Sequence, residues 1–214
     1  MLEKIIEGGY MMFPLLVCSV LALGVFIERS MAFYRNSKID VRSLRAEILT
    51  LFSEGRIEDA IVLCASTPGP ISAVLLVGLE TYRKLQSINE SAESVRTIMQ
   101  KSMEDYSLHA MSAVEKRLNI LATIGNAAPL FGMAGTVTGM IQSFDALATA
   151  GALDASLVAG GISEALITTA SGLLIALSAV IPLNIFTSMS QTIELEIEDA
   201  ASELVEFVTM RGGS

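Results

Sequence analysis

Glu164 stands at the head of a long apolar stretch: from Ala165 to Ile193 the chain carries no charged residue, more than the roughly 20 residues that cross a bilayer. At about 100° per residue, Glu164, Thr168, Ser171 and Ser178 share one helical face, and Ala165, Thr169, Gly172, Ala176 and Ala179 share the face beside it. A carboxylate at or inside a span is costly and marks a functional site. Hydroxyls beside it offer oxygen to water, to a partner group or to Na⁺. Ser171 and Ser178 have an equally good local use, bonding the carbonyls of their own helix.

Enzyme chemistry finds no foothold. The single histidine, His109, has no Ser, Cys or carboxylate partner at motif spacing. The run Gly132-Met133-Ala134-Gly135-Thr136-Val137-Thr138-Gly139 is glycine-rich. Its spacing is wrong for a dinucleotide fingerprint, and it lacks the Gly-Lys-Ser/Thr ending of a phosphate loop. Cys18 lies in an apolar run and Cys64 far away in a polar region, so neither a disulfide nor a metal site is expected. No cofactor is implied.

The glycines are better read as a packing surface. In lipid, small residues let helix backbones approach closely, and Gly125, Ala128, Gly132, Gly135 and Gly139 recur by threes and fours along one seam, bordered by Thr136. Gly172 belongs to the matching face of the last span. Pro129 and Pro182 each remove an amide donor and free a carbonyl, near Gly125 and Ser178, that must be satisfied by a neighbour or by water.

Tyr10–Ile27 and Leu118–Phe144 are likewise free of charge, making three crossings. With 52% hydrophobic residues and a mean hydropathy of +0.58, the chain belongs to the membrane class, and its net charge of −9 lies largely outside the bilayer. No basic patch with interleaved aromatics suggests nucleic acid. An apolar run after Lys4 also resembles a secretory signal. Glu3 and Glu7 before it, the large Val17 preceding Cys18, and Glu28-Arg29 after it favour a retained span.

Twelve of the 14 Lys and Arg residues lie between Arg29 and Arg117, and none lies between Asp145 and Ser163. Basic residues stay on the cytoplasmic side, so the expected order is an outside N-terminus and first span over 1–28, a cytoplasmic helical region over 29–117, a second span over 118–144, a periplasmic loop over 145–163, a third span over 164–190, and a cytoplasmic C-terminal helix over 191–214. Within the cytoplasmic region, Asp40 caps a helix using Leu44, Ile48 and Leu51. Gly55 breaks it, a second helix runs from Ile57 to Cys64, and Pro68-Gly69-Pro70 ends that one. A third carries Val74, Leu75, Gly78 and Tyr82 on one side. From about Asn89 a rod with the stripe Val95, Met99, Met103, Tyr106, Ala110 and Ala113 should pass without interruption into the second span. The tail repeats the pattern with Ile193, Ile197, Ala201, Leu204 and Val208. The fold class is therefore an all-α integral membrane protein of three transmembrane helices, with helices two and three extended into a cytoplasmic helical bundle. Three helices enclose almost no interior, so the small-residue seams and the polar stripe need cover, and a homo-oligomeric ring supplies it.

The proline-containing first span ending in Ile27-Glu28-Arg29, the stretch Asn126-Ala127-Ala128-Pro129-Leu130-Phe131-Gly132-Met133-Ala134-Gly135-Thr136-Val137-Thr138-Gly139-Met140, and the stretch from Gly161 to Leu173 resemble the MotA/TolQ/ExbB proton-channel family. Three crossings point to its ExbB/TolQ branch. The resemblance implies a homopentamer in the bacterial inner membrane, N-terminus periplasmic and C-terminus cytoplasmic. That ring would enclose an ExbD/TolR-like single-span protein with an intramembrane Asp and work with a TonB/TolA-like energy transducer. It also implies an ion pathway at Thr136, Glu164 and Thr169, with Thr168 beside them where the family often has alanine. Proton and sodium coupling both stay open, with Thr136, Thr168 and Thr169 as the oxygens for Na⁺. The competing readings are a passive channel or transporter and a structural membrane scaffold.

Overall fold

The computed structural model describes residues 9–87, 91–150 and 155–212. Among these every regular element is a helix: α1 Met12–Ser37, α2 Val41–Ser53, α3 Ile57–Ser66, α4 Pro70–Gln86, α5 Ala92–Glu115, α6 Leu118–Ala150 and α7 Ala155–Gly212. Three of them, α1, α6 and α7, are long and apolar enough to cross a membrane. The chain divides into two compact units, one built from residues 9–30 and 117–186, the other from 31–116 and 187–212.

In the first unit, α1 begins from a turn at Gly9 and Tyr10, with the Met12 amide donating to the Gly9 carbonyl at 3.1 Å. Pro14 falls in the first helical turn, where its missing N–H has no partner to lose. Leu15, Ala22 and Val25 are buried, and Phe26 meets Phe186 with ring centroids 6.1 Å apart. The outward faces of α1, α6 and α7 carry Phe13, Leu130, Leu174 and similar side chains exposed, the surface a helix presents to lipid. Both Pro129 and Pro182 are accommodated inside unbroken helices.

The second unit packs large side chains. Asp40 caps α2, its carboxylate accepting from the Arg42 amide at 3.1 Å and the Ser43 amide at 3.2 Å. Leu44 and Ile48 are buried as expected, with Phe52 rather than Leu51 completing the face. Phe52 stacks between Tyr82, at 4.9 Å, and Phe207, at 6.0 Å. Gly55, at φ +77°, makes the break between α2 and α3. Arg45 Nε donates to Glu203 at 2.7 Å and so ties α2 to the end of α7.

Several expectations need correction. The rod into the second span is interrupted: α5 ends at Glu115 and α6 begins at Leu118, with a turn at Lys116 and Arg117. Neither glycine nor proline marks the place, so periodicity could not show it. The Arg117 guanidinium pairs with the Glu28 carboxylate of α1, a contact between residues distant in sequence. The expected start of that rod, Asn89, lies outside the described residues. Its stripe also departs from expectation: Val95, Met99 and Met103 are buried, but Met111 follows them, while Tyr106 and Ala113 are exposed and Ala110 is half-buried. Successive four-residue steps drift by about 40° around a helix, so the buried line winds away from Tyr106. At the other end, α6 runs on to Ala150 and α7 starts at Ala155, so both flanks of the expected 145–163 connection are helical. α7 continues unbroken through Pro182 to Gly212, with Ile193, Ile197, Leu204 and Val208 buried as expected and Ala200, rather than the half-buried Ala201, completing the face.

Candidate functional site

The seam residues of α6 and α7 meet within one chain. Gly125, Ala128, Gly132, Gly135 and Gly139 are all buried, as are Ala165, Thr168, Gly172, Ala176 and Ala179. Backbone lies against backbone: a Cβ on Gly172 would stand 2.6 Å from the Ala128 carbonyl oxygen, and one on Gly132 would stand 3.1 Å from Thr169 Cα. Gly139 faces Ala165, with 3.1 Å between its hypothetical Cβ and the alanine methyl, and Gly125 faces Val180 at 2.6 Å. The two helices run antiparallel with the register 125 to 180, 132 to 169 and 172, 135 to 168, and 139 to 165.

This contact decides where the hydroxyls go. Thr169, half-buried at the edge of the seam, donates its Oγ1 hydrogen to the Gly132 carbonyl across the helix pair at 2.8 Å. Glycine at 132 is what allows the approach, because any side chain there would meet the Thr169 backbone. Thr168 lies inside the seam, 1% exposed. Its methyl fills the notch at Gly135 and its Oγ1 donates back to the Glu164 carbonyl at 3.0 Å. The helical-wheel division placed Thr168 with Glu164 and Thr169 with the small residues; the structure turns the buried face slightly, so Thr168 is interior and Thr169 marginal. Thr136, half-buried, donates to the Met133 carbonyl of its own helix at 2.6 Å. Ser171 and Ser178 do the same, to Ile167 at 2.8 Å and Ile175 at 2.7 Å, as local back-bonding predicts.

Each of these hydroxyls has its hydrogen engaged by a carbonyl, which leaves the oxygen to act as an acceptor. Among the described residues the formal charge in this part of the seam is the carboxylate of Glu164, half-buried at the head of the hydroxyl-bearing turns. Among the described residues no cluster of His, Cys, Asp and Glu forms a ready metal centre.

The structure also brings in residues that periodicity did not single out. Gly9 lies directly against the Glu164 carboxylate, and Met11 reaches the level of Thr168: a Cβ on Gly135 would be 3.5 Å from the Met11 Cβ. The signal was a Gly-Gly pair just before the first span, a turn signature, but nothing local says what such a turn touches. Ser143 is buried against Gly161 and donates to the Gly139 carbonyl at 2.8 Å. Cys64 is buried in the second unit, and burial pushes its thiol up to about 12, consistent with an inert structural side chain.

The family described as the MotA/TolQ/ExbB proton channel family matches residues 67–199 of this chain. A Synechocystis biopolymer transport protein named ExbB-like 1 is 30% identical over 192 residues, covering 88% of this chain and 71% of that protein. The biopolymer transport protein ExbB of Salmonella typhimurium is 28% identical over 195 residues, 91% of this chain and 78% of the relative. The Tol-Pal system protein TolQ of Haemophilus influenzae is 32% identical over 138 residues, 64% of this chain and 59% of its own length.

Proposed function

The chain belongs to the MotA/TolQ/ExbB proton channel family, in its ExbB/TolQ branch, and we propose on that premise that it is the ring subunit of an ion-driven motor complex. It is a multi-pass membrane protein of a transport family. In the proposed complex five copies surround an ExbD/TolR-like single-span protein in the bacterial inner membrane. The N-terminus is periplasmic and the C-terminus cytoplasmic, and ion flow is converted into work at the cell envelope through a TonB/TolA-like transducer.

One observation carries this reading: a half-buried carboxylate, Glu164, stands at the head of the uncharged stretch 165–193, one turn from Thr168 and beside the Thr169 that bonds across to Gly132. Between Leu118 and Phe144, and from Ala165 to Ile193, no side chain can carry a proton. A relay across roughly 30 Å of hydrocarbon is therefore incomplete in this chain. The missing group is assigned to an intramembrane Asp of the partner, alternating between charged and neutral forms beside Thr136 and Thr169, with either H⁺ or Na⁺ as the coupling ion.

The test uses the complex with its partner. Glu164→Gln should abolish energised function with assembly intact, since it removes the charge at nearly constant volume. Thr169→Val should do so through loss of the oxygen, while the methyl-sized replacement preserves packing against Gly132. Full activity in both variants, or ion flux through partner-free rings in liposomes, would show that the pathway lies elsewhere.

A further inference from the structure

We propose that Gly9 is a positioning residue for Glu164, a role that rests on the reading of Glu164 as part of the ion path. The turn ahead of α1 adopts φ +67° at Gly9, a conformation that side chains other than glycine and asparagine rarely take. Its Cα side is laid flush on the carboxylate. A Cβ built there would collide with Glu164 Oε1 and stand 3.0 Å from Cδ and 3.6 Å from Cγ. The turn is itself seated, because Met11, two residues on, reaches the Gly135 notch that holds the Thr168 methyl. The start of α1 thus forms a backbone wall beside the carboxylate, at the same level as the hydroxyls of α7. A glutamate side chain has three torsions and would otherwise sample several orientations. With the wall in place, the space on one side of the carboxylate is closed, and only a residue without a side chain closes it without displacing the acid.

Gly55 separates the two demands on such a glycine. It has φ +77°, and nothing lies within 4 Å of a Cβ placed on it. Replacing it tests backbone strain alone, whereas replacing Gly9 tests strain and contact together. Asparagine tolerates the left-handed region, so Gly9→Asn relieves the strain but keeps the clash.

The experiment measures energised ion flux and assembly in the full complex. Gly9→Ala and Gly9→Asn should each lower flux by about tenfold or more, the scale on which an ångström of misplacement acts at a reacting group, with assembly unchanged. Gly55→Ala should leave flux alone. Combining Gly9→Asn with Glu164→Asp, which retracts the carboxylate by about 1.5 Å, should make the glycine substitution silent relative to Glu164→Asp alone. Independently of flux, a chain with Cys18→Ser, Cys64→Ser, Gly9→Cys and Glu164→Cys should form an intrachain disulfide on mild oxidation. Wild-type flux in Gly9→Asn, or no disulfide in the double-cysteine chain, overturns the proposal. Retained flux in Glu164→Gln would instead sink the ion-path reading, while the disulfide result would still report the contact.

Discussion

The two units of this protein solve helix packing in opposite ways. Where α6 meets α7, the contact is made of glycine, alanine and threonine, and a helix backbone rests on its neighbour's carbonyls, as Gly172 does on Ala128. In the second unit the contacts are made by Met99, Met103, Leu204 and Phe52, all buried. Even Gly78, a glycine in a helix interface there, accommodates large side chains, the Met103 thioether and Leu204 Cδ2. The solvent explains the difference. In water, removing apolar area from solvent drives association at roughly 25 cal/mol per Å², so large side chains are the effective ones. In lipid that drive is absent and association depends on dispersion and interhelical hydrogen bonds, which need close approach. The Thr169 bond to Gly132 is one such hydrogen bond.

The sharpest way to break this contrast is to put the second unit's solution into the first. Gly172→Leu would force a branched side chain into a backbone carbonyl that cannot move aside. We expect loss of the α6–α7 pairing, with a cost at or above the upper end of the roughly 1–3 kcal/mol typical of overpacking, read as failure to yield a monodisperse particle in mild detergent. A normal particle would mean the seam is looser than its glycines indicate.

The reverse change comes next. Leu204→Ala in the second unit, where Leu204 is 1% exposed, should cost about 2–5 kcal/mol, seen as a lower unfolding temperature of the purified protein. Full stability would argue against a side-chain core there.

Smaller effects sharpen the comparison. Gly78→Ala should cost only about 1 kcal/mol, because the added methyl meets the flexible end of Met103. Gly172→Ala, with the same added atom facing backbone, should cost more; equal costs measured by thermal denaturation would dissolve the distinction between the two interfaces.

The smallest expected effect is an absence of reaction. Cys64 is buried, and its thiol is pushed up to about 12, so at neutral pH it stays protonated and should resist maleimide in the folded protein. A cysteine placed at the exposed Val62 should label readily. Labelling of Cys64 at the same rate would show that the second unit opens. Cys64 is for this reason a poor reporter of topology, whereas a cysteine at position 62 compared with one at Gly151 would report the sidedness proposed from the basic residues.

Much of this architecture was legible in the chain because bilayer-crossing helices are declared by composition and one-dimensional period alone. Hydropathy and length marked the three apolar helices, Asp40 and Gly55 marked the ends of α2, and the spacing by threes and fours marked the glycine seam before any partner for it was known. These signals are local: a cap, a break or a stripe depends on residues within a few positions. Apart from small phase errors along a helix, as with Phe52 for Leu51, the misses are non-local. The turn at Lys116 and Arg117 accompanies an ion pair to Glu28, 89 positions away in sequence, and no breaker residue announces it. Thr168 and Thr169 are adjacent hydroxyls on neighbouring faces of the helix. Which is interior and which bonds across the pair depends on the rotation of α7 against Gly132 and Gly135.

By itself, then, the order of residues determined that this is a three-span helical membrane protein with one carboxylate at the head of its last span and a small-residue seam fit for close packing. Only the tertiary structure decided that the seam joins α6 to α7 of the same chain and that Thr169 is tied to Gly132. It also decided that the turn at Gly9 stands against Glu164. A sequence specifies which faces can bury and which groups must be satisfied, but the choice of partner is made by shape and distance in three dimensions, where residues 9 and 164 become neighbours.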